Sequence, residues 1–316
     1  MNAPDRVGGA AGAPPVSGAP ETGDTREGFL FAFAAYGLWG FLPLYLKAVS
    51  HMPIIEVVAH RVLWSLPLAG LVIIISRRTA DLARVLRTPK MLAQGALTAA
   101  LVSVNWGIYI WAIGAGQTVE AALGYYINPL FSIALGATLL GERISRLQLV
   151  AIVLACCAVA LLTWNAGGLP WVSIGLTFTW GFYALFKRTL PVGPNQGFFL
   201  EVLILMPLAL GFVIWVAATG EGNFVSAGFN DTALLMFGGV ATAGPLIFYA
   251  NAAKRLLLST IGIMQYIAPT GIFLIGVFVF GEPFDQVKLI AFMFIWAAML
   301  LYSWSLWQNR AAPREK

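Results

Sequence analysis

Ten stretches of mostly apolar residues leave this chain few ways to fold. They lie at 29–49, 54–76, 91–113, 119–139, 147–164, 170–187, 196–219, 232–253, 259–280 and 287–307. Each is close to the ~20 residues that carry an α-helix through a bilayer. In hydrocarbon every backbone N–H and C=O must be bonded within the protein, which only helices and closed barrels achieve. Barrel strands would read as segments of roughly ten residues with alternating polarity. These runs are continuous, so the expectation is an all-α integral membrane protein with ten transmembrane helices. Composition agrees: 59% of the residues are hydrophobic and only 10% are charged, against about 25% charged in a soluble domain.

The runs are not independent. ALGYYINPLFSIALGATLLGERISRLQLVA, beginning at Ala122, lines up without a gap with GIMQYIAPTGIFLIGVFVFGEPFDQVKLIA, beginning 140 residues later at Gly262. Tyr126-Ile127 and Pro129 meet Tyr266-Ile267 and Pro269. Gly136 meets Gly276, and Gly141-Glu142 meets Gly281-Glu282. The same offset pairs Pro67 with Pro207, Tyr109 with Tyr249 and Arg61 with Glu201, and Trp39-Gly40-Phe41 meets Trp180-Gly181-Phe182 one residue out of step. Self-similarity at a fixed offset marks two copies of one structural unit. The domains read from it are a disordered N-terminal tail at 1–28, a first repeat at 29–164, a second at 170–307 and a short tail at 308–316. Each copy holds five helices. Five is odd, so the second copy enters the membrane inverted, an architecture of secondary transporters that hold substrate near the midplane between the halves.

Charge sets the expected orientation. All but Lys47, Arg61 and Lys288 of the 19 Lys and Arg fall in the tails or in every second connection. The positive-inside rule then puts both termini in the cytoplasm of a bacterial cell membrane. The net charge of +5 therefore reads as a topology signal and not as a nucleic-acid surface. Cys156 and Cys157 are adjacent within an apolar run, a spacing for packing and not for a disulfide or a metal.

Further motifs join the repeat. Trp39-Gly40 precedes Pro43-Leu44-Tyr45 in the first run, and Glu56, His60-Arg61 and Trp64-Ser65 follow in the second. Asn105-Trp106, Trp111-Ala112, Leu123-Gly124-Tyr125-Tyr126-Ile127-Asn128-Pro129-Leu130 and Gln265-Tyr266-Ile267-Ala268-Pro269-Thr270 complete the set. On these residues, over roughly 28–308, the chain resembles the RarD-type permeases of the EamA family in the drug/metabolite transporter superfamily. The resemblance implies ten helices, a cytoplasmic-membrane location and a central cavity.

Candidate substrate-binding residues follow from polarity at membrane depth. Glu56, His60 and Trp64 recur at four-residue spacing with Arg61 beside them. An arginine there costs roughly 2.5–3.5 kcal/mol on insertion scales and needs a partner. Arg61 fits an anionic substrate group, with Glu56 or His60 as a protonatable neighbour, a structural ion pair with Glu56 or another acid, or a side chain that snorkels to the outer surface about two turns away. Glu201 fits either a gate or coupling-ion site or a satisfied buried acid. Tyr125, Tyr126, Asn128, Gln265 and Tyr266 cluster beside Pro129 and Pro269, prolines that each free a carbonyl one turn earlier. Rings with a few amides suit a planar or amphipathic organic solute, and equally serve as interhelical glue. Asn105, Tyr109, Tyr249 and Asn251 add candidates, as do the matched Trp39 and Trp180. Glu142 and Glu282, each after a glycine, read as caps and loop anchors.

Three functional classes compete: transporter, membrane-embedded enzyme and scaffold. No His-Glu-x-x-His, Walker glycine loop or Gly-x-Ser-x-Gly elbow is present, and these are what a metalloprotease, a nucleotide-driven pump or a serine hydrolase would need. Two histidines exclude a His-rich metal site, and no cofactor is expected. A scaffold has no use for inverted duplication. The expected function is a non-enzymatic secondary transporter for a small organic solute such as a metabolite, amino acid or drug-like compound. It has the lipid bilayer as partner and is coupled to protons or to exchange. The alternatives are an uncoupled facilitator or channel and a membrane-embedded enzyme. Substrate, direction and oligomeric state leave no mark on the sequence.

Overall fold

The computed structural model describes residues 25–75, 87–139, 144–166, 168–189, 194–253, 255–256 and 258–311. The expected tail up to residue 24, the Gly141-Glu142 pair and the basic residues Arg77, Arg78, Arg84, Arg143 and Lys254 lie outside them. Among the described residues there is helix and no strand. The helices are α1 Arg26–Ala48, α2 Ile54–Ile75, α3 Pro89–Gly114, α4 Thr118–Leu139, α5 Arg146–Ala166 and α6 Trp171–Thr189. They continue with α7 Pro194–Thr219, α8 Phe229–Ala253, α9 Leu258–Met264, α10 Ile267–Leu274, a π-helical turn Ile275–Val279 and α11 Gln286–Ala311.

Local chemistry starts these helices where the apolar runs begin. The Thr25 hydroxyl accepts the Gly28 N–H at 3.1 Å, capping α1. Ser145 and Gln148 form a reciprocal box ahead of α5, with Gln148 N to Ser145 Oγ at 3.2 Å and Ser145 N to Gln148 Oε1 at 2.9 Å. Such caps satisfy N–H groups that a first turn leaves without partners. Pro89 opens α3 at a position where its missing N–H costs nothing.

Eight helices are long and apolar enough to cross a membrane: α1 to α5, α7, α8 and α11. The helix α6 and the segment around Pro269 fall outside that group. In α6, buried Ser173 and Thr177 lower the hydropathy, and their hydroxyls return to carbonyls, Ser173 to Glu120 at 2.6 Å and Thr177 to Gly124 at 3.0 Å. The ninth run, expected as one helix over 259–280, is instead α9, a turn at 265–266, α10 and the π turn. Pro269 has no N–H to give and its ring crowds the carbonyl four residues back, that of Gln265. The chain accordingly turns there, with Tyr266 N bonded to Ile263 O at 3.3 Å. Pro129 sits inside an unbroken α4.

Contacts sort the helix ends onto two faces. Thr25 N meets Arg255 O at 3.1 Å, Gln94 meets Phe186 O at 2.9 Å, and Ser145 meets Ser305 at 3.0 Å. These lie on the terminal face, which carries the start of α1 and the end of α11. On the opposite face His51 meets Asp231 at 3.2 Å, Tyr45 donates to Leu234 O at 3.1 Å, and Glu282 accepts from Thr118 N and Val119 N at 2.7 and 2.8 Å. Glu282 thus caps the first turn of α4, where the helix dipole also favours its charge.

Around the centre, α1 packs on α8 and α10, α2 on α7 and α8, α4 on α6, and α3 on α6, while α5 and α11 pair at the periphery. The α2–α8 seam is close. A Cβ on Gly239 would sit 2.4 Å from the Trp64 carbonyl, and one on Gly238 would sit 3.0 Å from the Arg61 side chain. Gly40 and Gly271 let α1 and α10 approach in the same way, with a Cβ on Gly271 only 2.9 Å from Gly40 Cα. Small residues at helix crossings let backbones close to van der Waals contact, the main attraction where lipid removes the hydrophobic drive. Between α3 and α7 the backbones stay further apart.

Candidate functional site

The seams enclose a central cavity of about 140 Å³. Its wall is mainly aromatic: Tyr36 and Trp39 from α1, Trp106 and Tyr109 from α3, Tyr125 from α4, and Trp180 and Tyr183 from α6. Polar groups are few: Arg61 from α2, Asn105 from α3, Asn128 from α4, Thr242 from α8 and Gln265 from the turn ahead of α10. The prolines' work is visible here, since the turn forced by Pro269 places Gln265 and Ala268 on the wall. An apolar cavity of roughly 150 Å³ holds a benzene, so this space admits a single-ring body.

Arg61 is 3% exposed. Its Nε donates to Thr242 Oγ1 at 2.9 Å, and its guanidinium lies 4.7 Å from the Trp106 ring centroid. Thr242 can accept because its own proton goes to Gly238 O at 2.7 Å. A desolvated cation over an indole gains about 2 kcal/mol or more, which offsets much of the burial cost. Nη1 is buried without a hydrogen-bond partner, and among the described residues no carboxylate pairs with this charge.

The ion pair weighed for Arg61 and Glu56 does not form. Glu56 is 1% exposed but turns to the opposite face, where it accepts from Asn223 N at 2.6 Å, Asn223 Nδ2 at 2.7 Å and Phe224 N at 3.2 Å. It holds down the α7–α8 connection and does not line the cavity. His60 is likewise off the wall: its Nδ1 accepts from Trp64 Nε1 at 3.2 Å and its ring lies 4.6 Å from that of Phe224.

The other expected residues divide. Asn105, Tyr125, Asn128 and Gln265 reach the cavity, as do Tyr109, Trp39 and Trp180. Asn105 also ties three helices together: Tyr125 Oη donates to its Oδ1 at 3.2 Å, and its Nδ2 donates to Leu176 O at 3.2 Å and Thr179 Oγ1 at 2.8 Å. Tyr126 and Tyr266 lie behind the wall, their rings 6.3 Å apart, with Tyr126 Oη 2.8 Å from Thr270 Oγ1. Tyr249 backs Tyr36 and Trp39, its ring 6.2 and 6.0 Å from theirs. Asn251 is on the terminal face, donating to Ile247 O at 2.9 Å and accepting from Arg255 Nη1 at 3.2 Å.

Glu201, matched by offset to Arg61, is 1% exposed and satisfied by two side chains of α6. Lys187 Nζ is 2.7 Å from Oε1, and Tyr183 Oη donates to Oε2 at 3.2 Å. Lys187 also donates to Tyr183 Oη at 3.0 Å. Sequence reasoning missed Tyr36, Trp106, Thr242 and Tyr183 as wall residues. Tyr183 and Lys187 stand four apart on α6, a spacing that was readable. Thr242 carries no sequence signal, since only the α2–α8 crossing brings it to Arg61.

Comparison with known proteins places this architecture. The EamA-like transporter family matches residues 26–164. The chain is 41% identical to the protein RarD of Streptomyces exfoliatus, over 93% of this chain and 93% of that one. It is 37% identical to the protein RarD of Escherichia coli K12, over 88% of this chain and 94% of that one. An uncharacterized transporter of Vibrio cholerae is 40% identical over 90% and 94% of the two chains. A protein known from a crystal structure shares the fold with a TM-score of 0.58 at 20% identity, over 89% of this chain and 98% of that one. The chain therefore belongs to the EamA-like transporter family of the drug/metabolite transporter superfamily, and is a multi-pass membrane transporter.

Proposed function

We propose that this chain is a secondary transporter that carries a small, single-ring organic anion across the bacterial cytoplasmic membrane by alternating access between inverted halves. The observation that carries the substrate class is Arg61, a buried cation on the cavity wall, stacked on Trp106 and left without an acidic partner among the described residues. A buried charge without a counter-charge is costly, and an incoming carboxylate or sulfonate supplies one. Trp39, Tyr125 and Trp180 offer faces to a planar body, with Asn128 and Gln265 as polar contacts. Transport makes and breaks no covalent bond, and we assign no catalytic residue.

The halves are 29–164 and 170–307, and two features support their inversion. Helix contacts come in pairs that exchange under the repeat: α1–α8 with α3–α6, and α4–α6 with α1–α10, while α2–α7 and α5–α11 map onto themselves. The positive-inside bias makes the terminal face cytoplasmic. The α2–α8 glycine seam then lies toward the outer side, and its repeat counterpart α3–α7, where Gly95 meets Leu200, toward the inner side. Rocking would open one as it closes the other.

Benzenesulfonate is a suitable probe, since its permanent charge prevents leakage through lipid. Counterflow of benzenesulfonate in proteoliposomes is the expected result. Equal counterflow of benzyltrimethylammonium sinks the anion reading, as does unchanged flux in R61Q.

A further inference from the structure

The cavity wall and the buried acid of α7 are connected. Tyr183 lines the cavity and its hydroxyl bonds Glu201, whose other oxygen holds Lys187. Lys187 stands two residues before the end of α6 at Thr189, on the terminal face, and keeps 20% of its side chain exposed, while Glu201 keeps 1%. Through their backbones α6 and α7 hardly touch among the described residues. Side chains alone span the gap: the ammonium, the carboxylate and the phenol form a closed triangle with edges of 2.7, 3.2 and 3.0 Å. A carboxylate that is sealed from the cavity by one hydroxyl and from water by one lysine can be reached from either side by small side-chain movements.

We propose that Glu201 is the carrier of the coupling proton, with Lys187 as the cation that competes for the same oxygen and Tyr183 as the link to the substrate cavity. This deepens the transport reading given above and rests on it for the meaning of coupling. The proton adds to Glu201 Oε1, forming an O–H bond and neutralising the carboxylate. The Lys187 ammonium keeps its own protons and swings toward water. The Tyr183 hydroxyl, relieved of a charged acceptor, turns to the cavity. A neutral Glu201 thereby opens the α6–α7 gap on the cytoplasmic side, and return of Lys187 closes it. On the helices against α7, the remaining ionisable groups are Glu56, His60 and Arg61 of α2, Lys90 and Tyr109 of α3, and Asp231 and Tyr249 of α8. Among the described residues none of these forms an ion pair with Glu201.

Two measurements test this. Infrared difference spectra of protein in nanodiscs, taken between neutral and acidic buffer, read the carbonyl stretch of a protonated carboxylic acid without any substrate. The chain has 14 Asp and Glu, so the Glu201 signal is the component of that band present in the wild type and missing from E201Q. In proteoliposomes, an imposed pH gradient is expected to drive benzenesulfonate accumulation in the wild type. E201Q should fall to the level reached without a gradient while counterflow persists. Should E201Q fail to fold, E201Q/K187Q removes both charges together and is tested in its place. A band of the same shape and size in E201Q as in the wild type, or undiminished gradient-driven accumulation, overturns the proposal. If the wild type moves no benzenesulfonate, the anion reading falls, and the infrared band still decides the proton site.

Discussion

Arg61 and Glu201, matched in the sequence at an offset of 140 residues, have opposite fates. Arg61 reaches Thr242 and lies on Trp106, with no acid among the described residues to neutralise it. Glu201 is neutralised by Lys187. One charge is left open to a visiting group and the other is closed by a side chain. The difference arises from neighbours: α2 is crossed closely by α8 through Gly238 and Gly239, whereas α3, which matches α8 by the same offset, keeps its backbone further from α7. On the proposed duplicated frame, this divergence gives the two ends of the cavity a polarity.

Variants can break this comparison. The largest effect is expected for R61Q. A hydrogen bond to a charged group is worth ~1.5–3 kcal/mol, so benzenesulfonate binding should weaken about 10–100-fold by calorimetry. Lys at the same position should recover only part of it, having no planar face for Trp106. Next comes G239A, whose Cβ meets the Trp64 backbone at 2.4 Å. Overpacking of this kind costs about 1–3 kcal/mol. It should lower Tm and increase labelling of an outer-side cysteine probe, and unchanged labelling would mean that the seam is no barrier. E56Q should cost ~1–2 kcal/mol through weaker bonds to Asn223 and Phe224, with benzenesulfonate affinity unaltered. A change in affinity would return Glu56 to the binding site. The smallest effect is expected for Y126F, which deletes one hydroxyl contact with Thr270, at about 0.5–1.5 kcal/mol. It too should leave affinity unchanged.

The polar residues at membrane depth were legible as a set, but their division was not. Glu56, His60 and Arg61 are neighbours on one helix, and spacing alone gives them a common purpose. The α7–α8 connection draws Glu56 away, because two backbone N–H groups and the Asn223 amide there need an acceptor. Tyr126 and Tyr266 carry the most visible repeat signature, yet they pack behind the wall while their neighbours Tyr125 and Gln265 line it. Successive helical residues point about 100° apart, so which of two adjacent residues lines a cavity depends on how the helix is rotated. Rotation is set by crossings such as Gly40–Gly271, which one-dimensional periodicity does not specify. The two prolines make the same point. Pro129 and Pro269 align in sequence, but the chain breaks only at the second.

The sequence by itself determined the all-helical, multi-pass class, since runs of this length and apolarity have no other way to satisfy their backbone in hydrocarbon. It determined the family as well, with relatives about 40% identical along nearly the whole chain. Only the tertiary structure decided which charges meet. Arg61 finds Thr242 181 positions away, and Glu56 finds Asn223 167 positions away. Pairings at such separations depend on how close two helices come at one crossing, a property of small residues in both partners together and of neither run alone.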